Sequence, residues 1–348
     1  MKKVLNQISD DSEFQQTSIF RELTEKPLGF IDIGARDEIC EMLIPLAKNV
    51  AVLGFEPDKS ECERIMQQEK KNGYWHSLML ESCALSNRMA ASCMYKMAVP
   101  TNDSLRNTNV DVVNRYNMEK FRKIGTEEVQ TNTLDQVLRD LAGQGIKNYG
   151  EFIKLDTQGT EYEILQGAKN TLDDITLGVI CEVSFFEVYQ KQKLFSDVDI
   201  LLRNRGFSFY GFTDLMLRSG KRISKLTGKG RERYLYADAV FFKDPYAGNS
   251  HVKELSREQK IRLMVISLLL EYYDFCIELA EDVWKSQELE CVITYIKKLS
   301  FLDPMDTALE VKNLLLNVED QLGRTNLEVG NFIKSKYGYF DCDDWVDN

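Results

Sequence analysis

The sequence predicts an α/β protein, with an open and mostly parallel sheet, helices on both of its faces, and a helical C-terminal extension. Three observations carry this. Short apolar runs alternate with segments of helical spacing from Leu28 to Phe242, the pattern of strands joined by crossover helices. Two of those runs, Phe30 to Ile33 and Phe152 to Leu155, contain or end on an acidic residue (Asp32, Asp156) and are followed by a glycine (Gly34, Gly159). After the turn-rich Pro245-Tyr246-Ala247-Gly248-Asn249-Ser250 the strand signal ends, and residues 254–336 read as helical.

The elements follow in order. Residues 1–26 carry no strand signal and read as a polar N-terminal arm. Leu28 to Ile33 is a buried strand, Ile39 to Lys48 a helix, and Val50 to Phe55 a second strand ending at Glu56-Pro57-Asp58. Asp58 to Lys71 has helical spacing, and Ser77 to Leu80 starts a third strand running towards Cys83-Ala84-Leu85-Ser86. Ala91 to Val99 alternates as a strand, Thr101 to Arg106 is a polar loop, and Glu128 to Thr131 is a short strand. Thr133 caps a helix through Leu141, since its hydroxyl can satisfy a free amide. Phe152 to Leu155 and Leu177 to Val183 are further buried strands, Asp197 to Arg205 is a helix, and Gly206 to Leu217 with Tyr234 to Phe242 forms a closing pair. Arg257 to Ala280 reads as one long amphipathic helix, followed by Glu288 to Leu299 and Met305 to Val318. The expected organisation is 1–26 arm, 27–246 α/β domain and 251–348 helical domain. The apolar stretch Leu268 to Phe275 fits either core or a homodimer interface through the C-terminal helices.

Composition narrows the function. Hydrophobic residues at 43% and charged residues at 28% suit a globular core. A net charge of −11 argues against nonspecific binding to nucleic acid or anionic lipid, since phosphates would be repelled. The basic cluster Lys221, Arg222, Lys225, Lys229, Arg231 and Arg233 reads as a solvated loop. The chain has 8 cysteines without a CxxC pair, and 2 histidines, so neither a zinc site nor a disulfide framework is expected. That usage fits a reducing cytoplasm. The N-terminus lacks an apolar signal core, and the longest apolar run, Leu263 to Leu270, is too short to span a bilayer.

Five constellations carry chemistry. In Phe30-Ile31-Asp32-Ile33-Gly34-Ala35-Arg36 a strand runs into a glycine turn, where a ligand can approach the backbone and a following helix would offer free amides. Glu56 stands 22 residues after Gly34, where a carboxylate grips a ribose diol; helix capping is the alternative for Glu56 and Asp58. Glu81-Ser82-Cys83-Ala84-Leu85-Ser86 closes the third strand. Asp156 and Glu182 end two strands expected to be neighbours, and a carboxylate pair there serves acid/base work or holds a cation. Glu182 to Gln192 places Tyr189 and Gln192 at the same sheet edge, suited to a sugar by stacking and amide hydrogen bonds, or to packing under a loop.

Taken together these segments resemble the FkbM methyltransferase family over residues 28–243. The resemblance rests on Asp32-Ile33-Gly34-Ala35, Phe55-Glu56-Pro57-Asp58, Ala84-Leu85-Ser86, Thr133-Leu134-Asp135, Ile153-Lys154-Leu155-Asp156-Thr157-Gln158-Gly159, Glu161, Leu165-Gln166-Gly167-Ala168 and Glu182-Val183. Ser104-Leu105, Gln192, Leu194-Phe195 and Tyr236-Ala237-Asp238-Ala239 are similar to a subgroup. It implies the seven-stranded, Rossmann-like methyltransferase sheet and S-adenosylmethionine as cofactor, with Asp32, Gly34, Ala35, Arg36, Glu56, Ser82, Cys83, Ala84, Asp156 and Gln158 around it. It also implies methyl transfer to a hydroxyl of a carbohydrate or glycosylated small molecule, with Ser104, Tyr189 and Gln192 on the acceptor side. Asp156 or Glu182 would take the hydroxyl proton, directly or through water or a metal; Asp156 holding the methionine part of the cofactor is the alternative. One departure is Arg36-Asp37-Glu38, where the family carries a second glycine: two acids would face the cofactor carboxylate, offset by Arg36. On that departure rests the competing expectation, a methyltransferase fold that acts as a binding or scaffold protein without catalysis.

Overall fold

The computed structural model describes residues 4–36 and 39–336. Ten strands occur among them: β1 (Leu28–Ile33), β2 (Val50–Phe55), β3 (Ser77–Glu81), β4 (Ala84–Leu85), β5 (Ala90–Met97), β6 (Lys123–Asn132), β7 (Phe152–Leu155), β8 (Gly178–Ser184), β9 (Ser208–Arg218) and β10 (Arg233–Phe242). Seven form one sheet in the order β3-β2-β1-β7-β8-β10-β9. β2 and β7 flank β1 in parallel, β3 and β8 extend the sheet in parallel, and β10 returns antiparallel to β8. The order reverses at β1, so β1 and β7 part their connections there and open a crevice at their carboxyl ends. This is the predicted seven-stranded architecture.

The strands are buried on both faces, as parallel strands covered by helices must be. Odd-numbered β1 residues Ile31 and Ile33 join Leu53, Ile153, Leu155, Val179 and Cys181 in one core. Even-numbered Leu28 and Phe30 join Val52, Phe152, Ile180, Val240 and Phe242 in another, which also holds the helix Arg257–Leu269. That second core absorbs Leu268 and Phe275, so the stretch read as core or dimer interface is turned into the protein's own interior.

Several local expectations are corrected. Ile39 to Lys48 is not an α-helix: Glu41–Asn49 forms 3₁₀ turns with Pro45 inside and a kink at Leu46. Pro45 has no N–H to donate back one turn, so an α-helical ladder cannot pass it. The span Arg257 to Ala280 is two helices, Arg257–Leu269 and Tyr273–Val283, separated at Glu271 with φ +66°. A helix at Val110–Tyr116 had no predicted counterpart. The short strand expected at Glu128 to Thr131 is the second half of a ten-residue β6, which pairs with β4 in parallel and β5 antiparallel in a separate three-stranded sheet.

The chain divides into two compact units. One holds the described residues through Leu217 together with Tyr234–Ser300; the other holds Arg218–Arg233 and the described residues from Phe301 on. In the second unit, helices Pro304–Asp320 and Thr325–Lys336 bury none of their side chains.

Candidate functional site

A cavity of about 680 Å³ opens over the carboxyl ends of β1, β2 and β7, within the range of small-molecule sites. Gly34, Arg36, Glu56, Cys83, Ala84, Ser104, Asp156, Gln158 and Glu182, all expected at the site, line it. The small sheet and the turn before Ser104 supply the opposite wall, with Met94 and Lys96 from β5, Glu127 and Val129 from β6, and Asn102 and Asp103.

The β1 turn is tightly determined. The Gly34 and Ala35 amides both donate to the Phe55 carbonyl, at 3.0 and 3.1 Å. Gly34 has φ +89°, and a Cβ there would lie 2.0 Å from the Asp156 carbonyl oxygen, so only glycine fits. No helix follows among the described residues up to Glu41, so the free amides of a helix start are not offered there; Asp37 and Glu38 lie outside the described residues. Arg36 is directed at the β2 carboxylates, 3.6 Å from Glu56 and 3.5 Å from Asp58. Glu56 Oε1 accepts the Asp58 amide at 2.8 Å, which aims the carboxyl at the cavity. Burial raises the Glu56 pKa, opposed by that hydrogen bond and by Arg36.

Asp32, Ala35 and Ser82 do not line the cavity. Asp32 is buried, accepts the Cys40 amide at 3.0 Å, and lies 3.9 Å from Lys154. Ala35 is buried, and the exposed Ser82 hydroxyl donates to the Pro57 carbonyl. Burial also raises the Cys83 thiol, keeping it neutral beside the cavity.

The loop after β7 is held from within. Gln158 (φ +60°) and Gly159 (φ +97°) adopt left-handed backbone, and a Cβ on Gly159 would lie 2.9 Å from the Tyr189 ring. The buried Glu161 carboxylate accepts the Thr157 and Gly159 amides at 2.8 and 3.1 Å, and the Thr157 hydroxyl. Gln158 Nε2 donates to Asp156 Oδ1 at 3.0 Å, the Ser104 hydroxyl donates to the Gln158 carbonyl at 2.7 Å, and the Tyr189 hydroxyl lies 3.0 Å from Gln158 Oε1. The structure thus joins Asp156, Gln158, Ser104 and Tyr189 in one network. Gln192 supports it from behind: its amide oxygen accepts the Val188 amide at 3.2 Å and its Nε2 donates to Ser184 at 2.9 Å. Its side chain does not line the cavity; Tyr189 lines a smaller recess beside it, shared with Glu182 and Tyr236.

Several functional candidates were not singled out from sequence. Lys154 is paired in register with Asp32 and lies 3.7 Å from Asp156. Burial alone would lower its pKa, but the surrounding carboxylates, Asp32 first, more than reverse that and keep it charged. Asp238 is paired in register with Glu182. Alternation puts Asp32, Lys154, Asp156, Glu182 and Asp238 on one face of the sheet, continuing the apolar face above the helix Arg257–Leu269. Burial and then the like charges of Asp156, Glu161 and Asp238 push Glu182 well up, and burial with Asp156 pushes Asp238 up to about 6. Among the described residues no three His, Cys, Asp or Glu side chains are arranged to hold a metal ion, and no helix there is long and apolar enough to cross a membrane.

No curated protein matches the chain. It is similar to the methyltransferase FkbM of Methylobacillus flagellatus KT, with 13% identity, 62% of this chain and 43% of that chain covered, and a TM-score of 0.35. It thus spans less than half of that protein. It is also similar to magnesium protoporphyrin IX methyltransferase (ChlM) of Synechocystis PCC 6803, solved with bound SAM, at 11% identity, 65% and 76% coverage, and a TM-score of 0.31. The Methyltransferase FkbM domain family matches residues 32–209, over half of the sequence and the whole span from Asp32 through β8. On that match, the chain belongs to the FkbM methyltransferase family.

Proposed function

We propose that the protein transfers a methyl group from S-adenosylmethionine to a hydroxyl of a carbohydrate or glycosylated small molecule. The observation that carries this is one cavity lined by Gly34, Glu56, Cys83, Ala84, Asp156 and Glu182, and closed over by polar residues of the small sheet such as Lys96 and Glu127. The residues fit the cofactor: Gly34 leaves no side chain at the turn, Glu56 presents a carboxyl suited to a ribose diol, and Ala84 and Leu85 give an apolar surface for a base.

S-adenosylmethionine, when bound, supplies an electrophilic methyl on a sulfonium. The cavity walls hold the acceptor oxygen in line with it, and positioning of this kind supplies much of the rate. The cofactor would supply the methyl and keep the released electron pair on sulfur, while Asp156 or Glu182 would take the acceptor hydroxyl's proton. Glu182, its pKa raised by burial and like charges, ionises only as pH increases, so turnover that uses it as the base rises with pH.

Calorimetric titration with S-adenosylhomocysteine tests this reading. Micromolar binding is expected, weakened at least about tenfold in Glu56→Ala, the loss of a charge-assisted pair of hydrogen bonds. Absence of binding to the unaltered protein would favour a non-catalytic scaffold instead.

A further inference from the structure

The cavity is short of positive charge on its acceptor side. Its lining carries six carboxylates against three cations, Arg36, Lys59 and Lys96. Arg36 is committed to Glu56 and Asp58. Lys96 lies 2.6 Å from Asp103 and 3.7 Å from Glu127. Behind the wall, Lys154 is committed to Asp32 and Asp156. In the sheet order, Glu56 and Asp156 stand at the ends of β2 and β7, around the β1 turn. Glu182 and its register partner Asp238 lie beyond Asp156, on β8 and β10. Glu182 lines the cavity and its side recess, and among the described residues no cation is ion-paired with it. Tyr236, on the same strand as Asp238, lines both spaces beside it.

Building on the methyltransferase reading, we propose that the acceptor carries a protonated amine that binds at Glu182, as in an amino sugar, and that phosphorylated or carboxylated acceptors are excluded. A carboxyl crowded by like charges gains most from a cation, because that cation lets it ionise and meets a second carboxylate behind it. A phosphate at the same wall would meet carboxylates and Lys96, which is already paired with Asp103 and Glu127. A neutral hydroxyl can accept or donate a hydrogen bond there but does not relieve the repulsion.

The test compares glucosamine, glucose and glucose 6-phosphate at pH 7, which place a cation, no charge and an anion on one scaffold. Affinities are measured by saturation-transfer NMR titration of the full chain, with and without S-adenosylhomocysteine. Glucosamine is expected to bind about tenfold more tightly than glucose, and glucose 6-phosphate more weakly than either. Glu182→Gln should bring glucosamine to the level of glucose, and Asp238→Asn should narrow the gap if Glu182→Gln does not fold. Glu56→Ala should lose S-adenosylhomocysteine yet keep the amine preference, so a failed cofactor reading and a failed acceptor reading give different results. Equal binding of glucosamine and glucose, preference for the phosphate, no binding of any of the three, or an amine preference that survives Glu182→Gln would each overturn the proposal.

Discussion

Glu161 shows what a single buried carboxyl costs and what it holds. It is the acceptor for the loop Thr157–Gly159, whose left-handed Gln158 carries contacts to Asp156, Ser104 and Tyr189. Burial outweighs these hydrogen bonds and pushes its pKa from the ordinary 4.5 up to about 7. The folded protein therefore binds a proton that the unfolded chain releases. Its stabilising effect is complete below about pH 4.5 and is lost as pH rises through about 7, on the order of 3 kcal/mol in all. Asp238, raised to about 6, acts in the same direction. Melting temperature should thus fall from pH 5 to pH 8, and Glu161→Gln, which keeps one acceptor oxygen and cannot ionise, should flatten that slope. An unchanged slope in the variant would assign the effect elsewhere. The sequence marked Asp156, Glu56 and Gly34 because each closes an apolar run. It did not mark Glu161 as the brace of the loop, because a glutamate in the first turn of a helix looks the same whether solvated or folded back onto amides.

Among elements, the even-numbered face of the sheet was the more hidden part of the site. Along β1, β7 and β8 the same face passes from Phe30, Phe152 and Ile180 to Asp32, Lys154 and Glu182 within two residues. That alternation is written in the chain, yet it becomes a row only when register aligns the strands. Asp238 joins the row from a strand far along the sequence and of opposite direction. The small sheet was read only in part, for a different reason: strands were expected at Ala91 to Val99 and Glu128 to Thr131, but most of β6 is exposed, so its first half lacks the apolar run by which strands are recognised. Below the row, the helix Arg257–Leu269 seals the apolar half of the face. Ile266 is fully buried there, and its Cγ2 would lie 2.9 Å from a Cβ on Gly178. Ile266→Ala should cost about 2–4 kcal/mol in urea unfolding. A cost below about 1 kcal/mol would mean that the helix is not part of the cooperative core.

For the molecule as a whole, the helices after the linker have two fates. Those through Ser300 share a core with the sheet. Helices Pro304–Asp320 and Thr325–Lys336 leave Phe301, Met305, Leu315, Leu322 and Ile333 exposed and contribute no buried side chain. A chain ending at Ser300 is therefore expected to melt within about 2 °C of the full chain and to bind S-adenosylhomocysteine with the same affinity, since removing exposed surface changes stability little. A drop of many degrees in differential scanning calorimetry would count against this. The helical pattern after residue 250 told helices from strands correctly. It could not separate buried helices from exposed ones, because apolar residues recur at helical spacing in both.

Ala84 and Leu85 belong to two structures at once. They line the cavity beside Glu56, and they are also the edge strand β4, hydrogen-bonded through Thr131 and Asn132 to the β6 strand that brings Glu127 and Val129 to the opposite wall. A ligand that shifts Ala84 on one side must strain or relax the ladder that shapes the other. Occupancy of the two halves is then linked, and linkage is reciprocal: whatever factor the cofactor lends to acceptor affinity, the acceptor returns to the cofactor.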